Sequence, residues 1–543
     1  MRPFLTLHQP NLARRYYASG LWQDQSFYDL LALHADTTPN VQALKDGRQS
    51  LSWSELRDRT DAVAAKFDGL GLVAGDLVSI WMSNRLEAIV VFLACSRQGL
   101  VCNPSLHRTY TTRDIITLME RLEARVLIRE PNWGADDADE ADVDGDALIG
   151  EVVSLKAVLA PDALPRSTDT PLPPVKSDPD AVGYLAFTSG TTGDPKCVMH
   201  SANTLLSNAR DMVGDWGLDA DTRLLVLSPL SHHIAWVAVG QWLLSGCMLI
   251  TNDAPRGVGG LDWLLENDPT YVMGVPTHAM DILEAFNARK LTALGRVEVF
   301  YLAGSPIPQV VAESFVELGI KPQNVYGMTE NSSHQFTHPD DDQETWIQTC
   351  GRGGRAYEVQ IFDVQDQNQT VPVGQIGQIG GRGAALMLGY FANQQATAAS
   401  FNDDGWFLSG DLGSLDADGN LRIEGRLKDV IIRGGHNIYP AQIEDYVLRR
   451  EDIKKAAAFG VPDDRLGERV CLAVQGTPDP EQVLKFLTNQ GLSVYDMPEY
   501  FLRLEEFPLT ASGKILKRNL VEMVRQGTLV PDPLRHSLKK ENT

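Results

Sequence analysis

The sequence predicts an α/β fold of layered, largely parallel sheets, divided into two unequal domains. Three observations lead there. Helical patterns alternate with short β-rich runs, the spacing that suits parallel strands joined by crossover helices. The chain has 543 residues, 43% of them hydrophobic, enough for a large core and, at about 150 residues per unit, for two large domains or three to four smaller units. The charge balance also changes sharply near position 425. Residues 1–425 carry 30 basic and 54 acidic side chains, whereas residues 426–543 carry 18 and 17. An asymmetry of that kind marks a domain boundary.

The β-rich runs come in chain order as Leu77–Trp81, Ala124–Ile128, Tyr184–Phe187, Leu224–Leu227, Tyr271–Met273 and Val297–Tyr301. Trp236 to Ile250 is the longest apolar stretch, but Gln241, Ser245 and Gly246 interrupt it. It falls short of the roughly 18 residues a membrane span needs and reads as a buried helix passing into a strand. Between Trp133 and Glu151 lie seven acidic residues from Asp136 to Asp146 and no basic one. Glu140 to Glu151 approximates a calcium loop, but position 1 is Glu, position 8 is Ala147, and no second hand follows, so a solvated acidic loop is expected. Pro161 to Pro174 is a proline-rich connector.

Composition excludes several classes. A net charge of −23 and a sequence pI of about 4.9 argue against non-specific binding to nucleic acid or anionic membrane, both of which need a basic face. Six scattered cysteines without a CxxC pair suggest neither a zinc site nor a disulfide framework. The N-terminal residues hold no apolar run of signal-peptide length, so a cytoplasmic protein without a membrane span is expected.

The most informative segment is Tyr184-Leu-Ala-Phe-Thr188-Ser-Gly-Thr-Thr-Gly-Asp-Pro-Lys196. An apolar run feeds a loop made of Thr188, Ser189, Gly190, Thr191, Thr192 and Gly193. Glycines let a backbone approach an anion closely, exposed N–H groups and hydroxyls wrap phosphate oxygens, and Lys196 adds a point charge. It is not a Walker A loop, because Asp194-Pro195 separates the second glycine from the lysine.

With further motifs in order, the chain resembles the adenylate-forming superfamily of acyl-CoA synthetases, adenylation domains and luciferases along nearly its whole length. The motifs include Ser228-Pro-Leu-Ser-His232, Ala303-Gly-Ser-Pro-Ile-Pro308, Tyr326-Gly-Met-Thr-Glu330, Ser409-Gly-Asp-Leu412, Gly425-Arg-Leu-Lys-Asp-Val430 and Pro508-Leu-Thr-Ala-Ser-Gly-Lys514. Within the superfamily it is similar to the cyclohexanecarboxylate–CoA ligase type. The resemblance implies a large N-terminal domain of layered α/β sheets with a β-barrel-like subdomain, residues 1–427, and a small mobile α+β C-terminal domain, residues 428–543.

It also implies an activity. A carboxylate attacks the α-phosphorus of ATP, giving an acyl-AMP and pyrophosphate, and coenzyme A then takes the acyl group as a thioester. Lys514 would bridge the carboxylate and the α-phosphate. Glu330 would hold Mg²⁺ with the Thr188 and Thr329 hydroxyls nearby, and His232 would gate the passage between acyl and thiol sites. Tyr326 and Gly327, with Gly304 and Ser305, would border the adenine. Asp411 would accept from the ribose hydroxyls with Arg426 as its companion. Lys428 would be the hinge, and Gly434 and Gly435 would line the thiol's path. Arg433, Lys517 and Arg518 are the further cations that the C-terminal part brings.

The expected ligands are therefore a small carboxylic acid, ATP and coenzyme A, with no nucleic acid, and a homodimer is compatible with the sequence. Trp236 and Met273 suggest a hydrophobic acyl pocket of limited depth, favouring a compact alicyclic or aromatic acid. A medium-chain fatty acid, or transfer to a carrier protein instead of coenzyme A, are the alternatives.

Overall fold

The computed structural model describes residues 4–135, 145–188, 195–509 and 515–534. Ser189, Gly190, Thr191, Thr192 and Gly193 of the phosphate-type loop, Lys514, and residues 136–144 of the acidic stretch lie outside the described residues.

Two sheets dominate the large N-terminal part. One runs, in spatial order, Ala157–Leu159, Val126–Arg129, Leu77–Trp81, Val101–Asn103, Val182–Phe187 and Cys197–Ser201. Its strands are parallel except for the last pair. The other runs Ser332–Phe336, Lys321–Met328, Val299–Leu302, Tyr271–Gly274, Arg223–Val226, Met248–Thr251, Gln42–Lys45 and Ser50–Ser52. It is parallel through its centre and antiparallel at both edges. The β-rich runs read from the sequence are strands of these sheets. Leu77–Trp81 is buried at every position, as befits a parallel strand covered on both faces.

The main core fills the space between the two sheets. It unites Val78, Ile80 and Tyr184 of one sheet with Val226, Tyr271 and Met273 of the other through the helices Trp53–Gly69, Glu87–Gln98 and His233–Ser245. The last of these is apolar nearly all round, with Ala235 through Leu243 buried, the pattern of a helix enclosed by protein. Strand Met248–Thr251 follows it, so the Trp236–Ile250 stretch is a helix leading into a strand. Trp53 and Trp242 stack across this core at 5.1 Å. Helix Ala202–Trp216 starts at Ser201 with a capping box to Thr204, which satisfies backbone N–H groups that would otherwise lack partners.

The chain next forms an antiparallel meander, Tyr357–Phe362, Gly377–Gly383, Phe407–Leu415 and Leu421–Arg426, in the stretch where a barrel-like subdomain is expected. A short 3-10 turn, Leu427–Asp429, leads out of it. Beyond this turn the strands belong to a separate sheet built on the long pair Ile453–Asp463 and Gly467–Gly476. Helices Pro440–Leu448, Pro480–Asn489 and Lys517–Arg525 pack around it with their own apolar core. This C-terminal part rests on the larger one through Asp445, which accepts from Gln309 N–H at 3.1 Å, and Arg449, which donates to Gln309 Oε1 at 2.6 Å. Among the described residues no helix is long and apolar enough to cross a membrane.

Candidate active site

The phosphate-type loop joins two antiparallel strands whose last pair is Phe187 and Cys197. Thr188 N–H donates to Lys196 O at 2.8 Å and closes the base of the loop, while Thr188 Oγ1 lies 3.4 Å from the same carbonyl. Arg121 donates to Pro195 O at 2.7 Å and steadies the exit. Cys197 is fully buried at this exit, and burial pushes its thiol up to about 12, so it packs as a small apolar group.

Lys196 does not project into empty space. Its ammonium lies over the Tyr390 ring, 4.5 Å from the centroid. The Tyr390 hydroxyl donates to Glu330 Oε1 at 2.9 Å. Glu330 is 9% exposed. Burial pushes its carboxyl above the usual range, while the Tyr390 hydroxyl bond and the Lys196 charge act against that and the Asp411 charge reinforces it. The fold thus brings both Lys196 and Asp411 within electrostatic reach of Glu330. Tyr390 carries no motif spacing that points to it, which is why sequence reasoning missed it.

Beside this cluster, Tyr326 lies on strand Lys321–Met328. Its hydroxyl donates to Asp411 Oδ2 at 2.9 Å. Burial, reinforced by the Asp411 charge, pushes the phenol well above its ordinary value, so it stays a neutral donor. Asp411 and Arg426 face each other across the meander, with Arg426 Nε 3.5 Å from Asp411 Oδ1. Ser409 Oγ accepts from Asp411 N–H at 3.0 Å and donates to Ile379 O at 2.8 Å, which fixes the backbone that carries the carboxylate. Gly327 is obligatory: a Cβ there would overlap the Ser332 carbonyl on the antiparallel partner strand.

Thr329 is set from behind. His200 Nε2 lies 2.6 Å from Thr329 O, so Nε2 carries the proton, and Nδ1 faces the Thr204 hydroxyl at 2.9 Å. Burial holds the His200 ring down to about 4, which keeps it neutral. His233 is likewise structural, lying between the Tyr184 hydroxyl at 3.2 Å and Ser332 Oγ at 3.0 Å. His232 stacks on His107 with centroids 4.4 Å apart, and His107 Nδ1 lies 3.0 Å from Ser231 Oγ.

Other expected residues have surroundings of their own. Gly304 and Ser305 follow strand Val299–Leu302 and are half-buried. Trp236 and Met273, expected on a pocket wall, are packed inside the core; the Trp236 indole N–H donates to Leu230 O at 2.7 Å. Gly434 and Gly435 form a two-residue hairpin turn with φ of 60° and 87°, the conformation such a turn demands. Two of the further C-terminal cations have carboxylate partners. Arg433 is tied to Glu499 by two bonds of 2.9 Å, and Lys517 reaches the buried Glu444 at 2.7 Å, so both serve the internal packing of their own domain.

Residues 31–391 match the AMP-binding enzyme family, and residues 442–514 match the AMP-binding enzyme C-terminal domain. The chain belongs to the AMP-binding enzyme family. This AMP-binding enzyme is similar to the medium-chain fatty-acid–CoA ligase of Escherichia coli (strain K12), 28% identical over 536 residues, or 95% of this chain and 93% of that one. It is also similar to the 2-hydroxy-7-methoxy-5-methyl-1-naphthoate–CoA ligase of Streptomyces carzinostaticus, 30% identical over 533 residues, or 94% and 95%. Among solved structures, ATP-bound MatB from Rhodopseudomonas palustris matches with a TM-score of 0.81 at 26% identity, over 93% of this chain and 100% of that one. The AMP-binding enzyme is a ligase of the acyl-CoA synthetase kind, with the fold of that kind: a large N-terminal α/β domain and a small C-terminal one.

Proposed function

We propose that the protein is an ATP-dependent carboxylate–CoA ligase acting on a compact alicyclic or aromatic acid such as cyclohexanecarboxylate. The observation that carries the reading is the convergence of Lys196, Glu330 and Asp411, from three motifs far apart in the chain, around Tyr390 and Tyr326. Two anions must meet in adenylation, and such a site supplies placed charge and orientation.

In this reading Lys196 and the loop from Thr188 hold the terminal phosphates, while Tyr326, Gly327, Gly304 and Ser305 border the adenine. Asp411, set by Tyr326 and Arg426, accepts from the ribose hydroxyls. Glu330 and Thr188 offer a buried carboxylate and a hydroxyl, both hard oxygen donors. Mg²⁺ needs only one or two such protein oxygens besides phosphate, so the donor set fits it. Bound there, Mg²⁺ would offset the negative charge of the phosphates. Lys514 steadies the carboxylate oxygen as it bonds to the α-phosphorus and pyrophosphate leaves. The C-terminal domain, which we place at 428–543 with its hinge at Lys428, then turns. Gly434 and Gly435 border the path of the thiol, which bonds to the acyl carbon as AMP departs, and His232 gates that path. The cytoplasm is the compartment proposed.

The naphthoate–CoA ligase relative supports a ring acid, and the Escherichia coli relative supports the second reading, a medium-chain fatty acid. A panel of acids in a pyrophosphate-release assay, with and without free coenzyme A, tests the assignment. Turnover fastest on ring acids and dependent on coenzyme A is expected. A preference for straight chains of six to ten carbons, on the order of the medium-chain class, overturns the substrate, and adenylation without thioester formation points to a carrier protein.

A further inference from the structure

One side chain joins the two charges that adenylation needs. Tyr390 carries Lys196 on its ring face at 4.5 Å and binds Glu330 Oε1 through its hydroxyl at 2.9 Å. Its own position is fixed from several sides. Tyr390 forms an antiparallel bridge with Val198, and its N–H donates to the Thr397 hydroxyl at 3.0 Å. Phe391 N–H donates to Cys197 O at 2.7 Å, and Met199 N–H donates to Gly389 O at 3.0 Å. Glu330 is tied to the same segment, its carbonyl accepting from Met387 N–H at 2.7 Å. The Tyr390 residue is 2% exposed, and burial together with the Glu330 charge pushes its phenol far up, so the hydroxyl remains a donor.

An ammonium and a carboxylate in a partly buried site attract each other more strongly than in water, because the local dielectric is low. In a direct pair Lys196 would spend its N–H groups on Glu330 instead of phosphate, and Glu330 its oxygens on Lys196 instead of a cation. Among the described residues these two form no ion pair within 4.0 Å. Tyr390 gives each a partner that leaves most of its bonding capacity open. The ring face engages the ammonium from one side, and the hydroxyl engages one carboxylate oxygen.

We propose that Tyr390 is a positioning residue for adenylation, presenting Lys196 to a phosphate oxygen and Glu330 to a divalent cation while keeping the two from pairing with each other. Tyr390 acts this way only where Lys196 and Glu330 have the roles proposed above.

Two substitutions in the full chain separate the two contacts. Tyr390→Phe keeps the ring and removes the hydroxyl, whereas Tyr390→Leu removes both. Calorimetric titration with ATP in a metal-free buffer reads Lys196, and the gain in affinity on adding Mg²⁺ reads Glu330. Tyr390→Phe is expected to bind metal-free ATP like the parent but to lose about tenfold of the Mg²⁺-dependent gain, the worth of one charge-assisted hydrogen bond. Tyr390→Leu is expected to lose in addition about fivefold in metal-free affinity, the worth of a partly buried cation–π contact. Both are expected to convert supplied acyl-AMP to thioester at the parent rate. An undiminished Mg²⁺-dependent gain in Tyr390→Phe overturns the proposal, as does an equal loss of both half-reactions with a lowered melting temperature, which marks a purely structural residue. The ligase reading fails separately, if the parent protein releases no pyrophosphate with any acid.

Discussion

The Tyr326 hydroxyl donates to Asp411 Oδ2 at 2.9 Å, although the two residues lie 85 positions apart and on different sheets. In the proposed reading one side chain would serve two ends of a nucleoside: its ring would border the adenine, and its hydroxyl would orient the carboxylate proposed for the ribose. Tyr326→Phe keeps the ring and frees Asp411 to turn. A rise of about tenfold in the KM for ATP is expected, equivalent to a hydrogen bond with a charged partner of about 1.5 kcal/mol, with the KM for the acid unchanged. Asp411→Ala is expected to be the more severe of the two. Acid-dependent pyrophosphate exchange measures both, and a parent-like KM for ATP in Asp411→Ala removes Asp411 from the nucleotide site.

Lys514 tests the two-state view of the C-terminal domain. Lys514→Ala is expected to abolish acyl-AMP formation from acid and ATP while leaving the conversion of supplied acyl-AMP to thioester near the parent rate. A compact ammonium on a flexible stem serves a transient charge in one half-reaction only. Equal loss of both half-reactions would sink the alternation argument.

Lys517 separates an anion-binding cation from a packing one. Its ammonium meets Glu444 at 2.7 Å, with the two side chains 21% and 13% exposed, and Glu444 also accepts from Ala458 N–H at 2.7 Å. Lys517→Ala leaves a buried carboxylate without its charge partner, a change that destabilises by about 3 kcal/mol. The KM for ATP should not move. Adding Glu444→Gln should recover part of the lost stability in denaturant titration. A large KM effect with parent stability would place Lys517 in the ligand site instead.

Buried and half-buried histidines predict an acid-sensitive fold. Burial holds His107, His200 and His278 down to about 4 and His334 to about 3, whereas an unfolded histidine titrates near 6.5. Between those values the unfolded chain binds protons that the folded chain refuses, so stability rises with pH across this window. It is fully present above about pH 6.5 and is lost as pH falls toward 4, by up to about 1.4 kcal/mol per pH unit for each such ring. Melting temperatures at fixed ionic strength should be flat from pH 8 to 7 and fall steeply from 6.5 to 4.5. A flat profile down to pH 5 would show that these rings are protonated in the folded protein.

Much of the candidate site was legible because its parts are local motifs. A strand feeding a glycine- and hydroxyl-rich loop before Lys196 is a contiguous signal, and so are Tyr326-Gly-Met-Thr-Glu330 and Ser409-Gly-Asp-Leu412. Parallel strands such as Leu77–Trp81 were legible because burial on both faces leaves an unbroken apolar run. Tyr390 and the supporting His200 were not legible. Each acts through a residue more than fifty positions away, so no spacing along the chain encodes the contact. The partners of Arg433 and Lys517 were not legible for the converse reason. Local sequence shows a positive charge, and only packing shows that Glu499 and Glu444 already answer it.

The sequence by itself determined the α/β layering, the two-part charge division at position 425 and the residue types able to hold a nucleotide and a carboxylate. Those properties follow from periodicity, composition and contiguous motifs. Only the tertiary structure decided which charges neutralise one another. The Lys196 ammonium rests on the Tyr390 ring, whereas Arg433 is held in an ion pair by Glu499. That distinction depends on distances of a few ångströms between strands that the chain order does not place together.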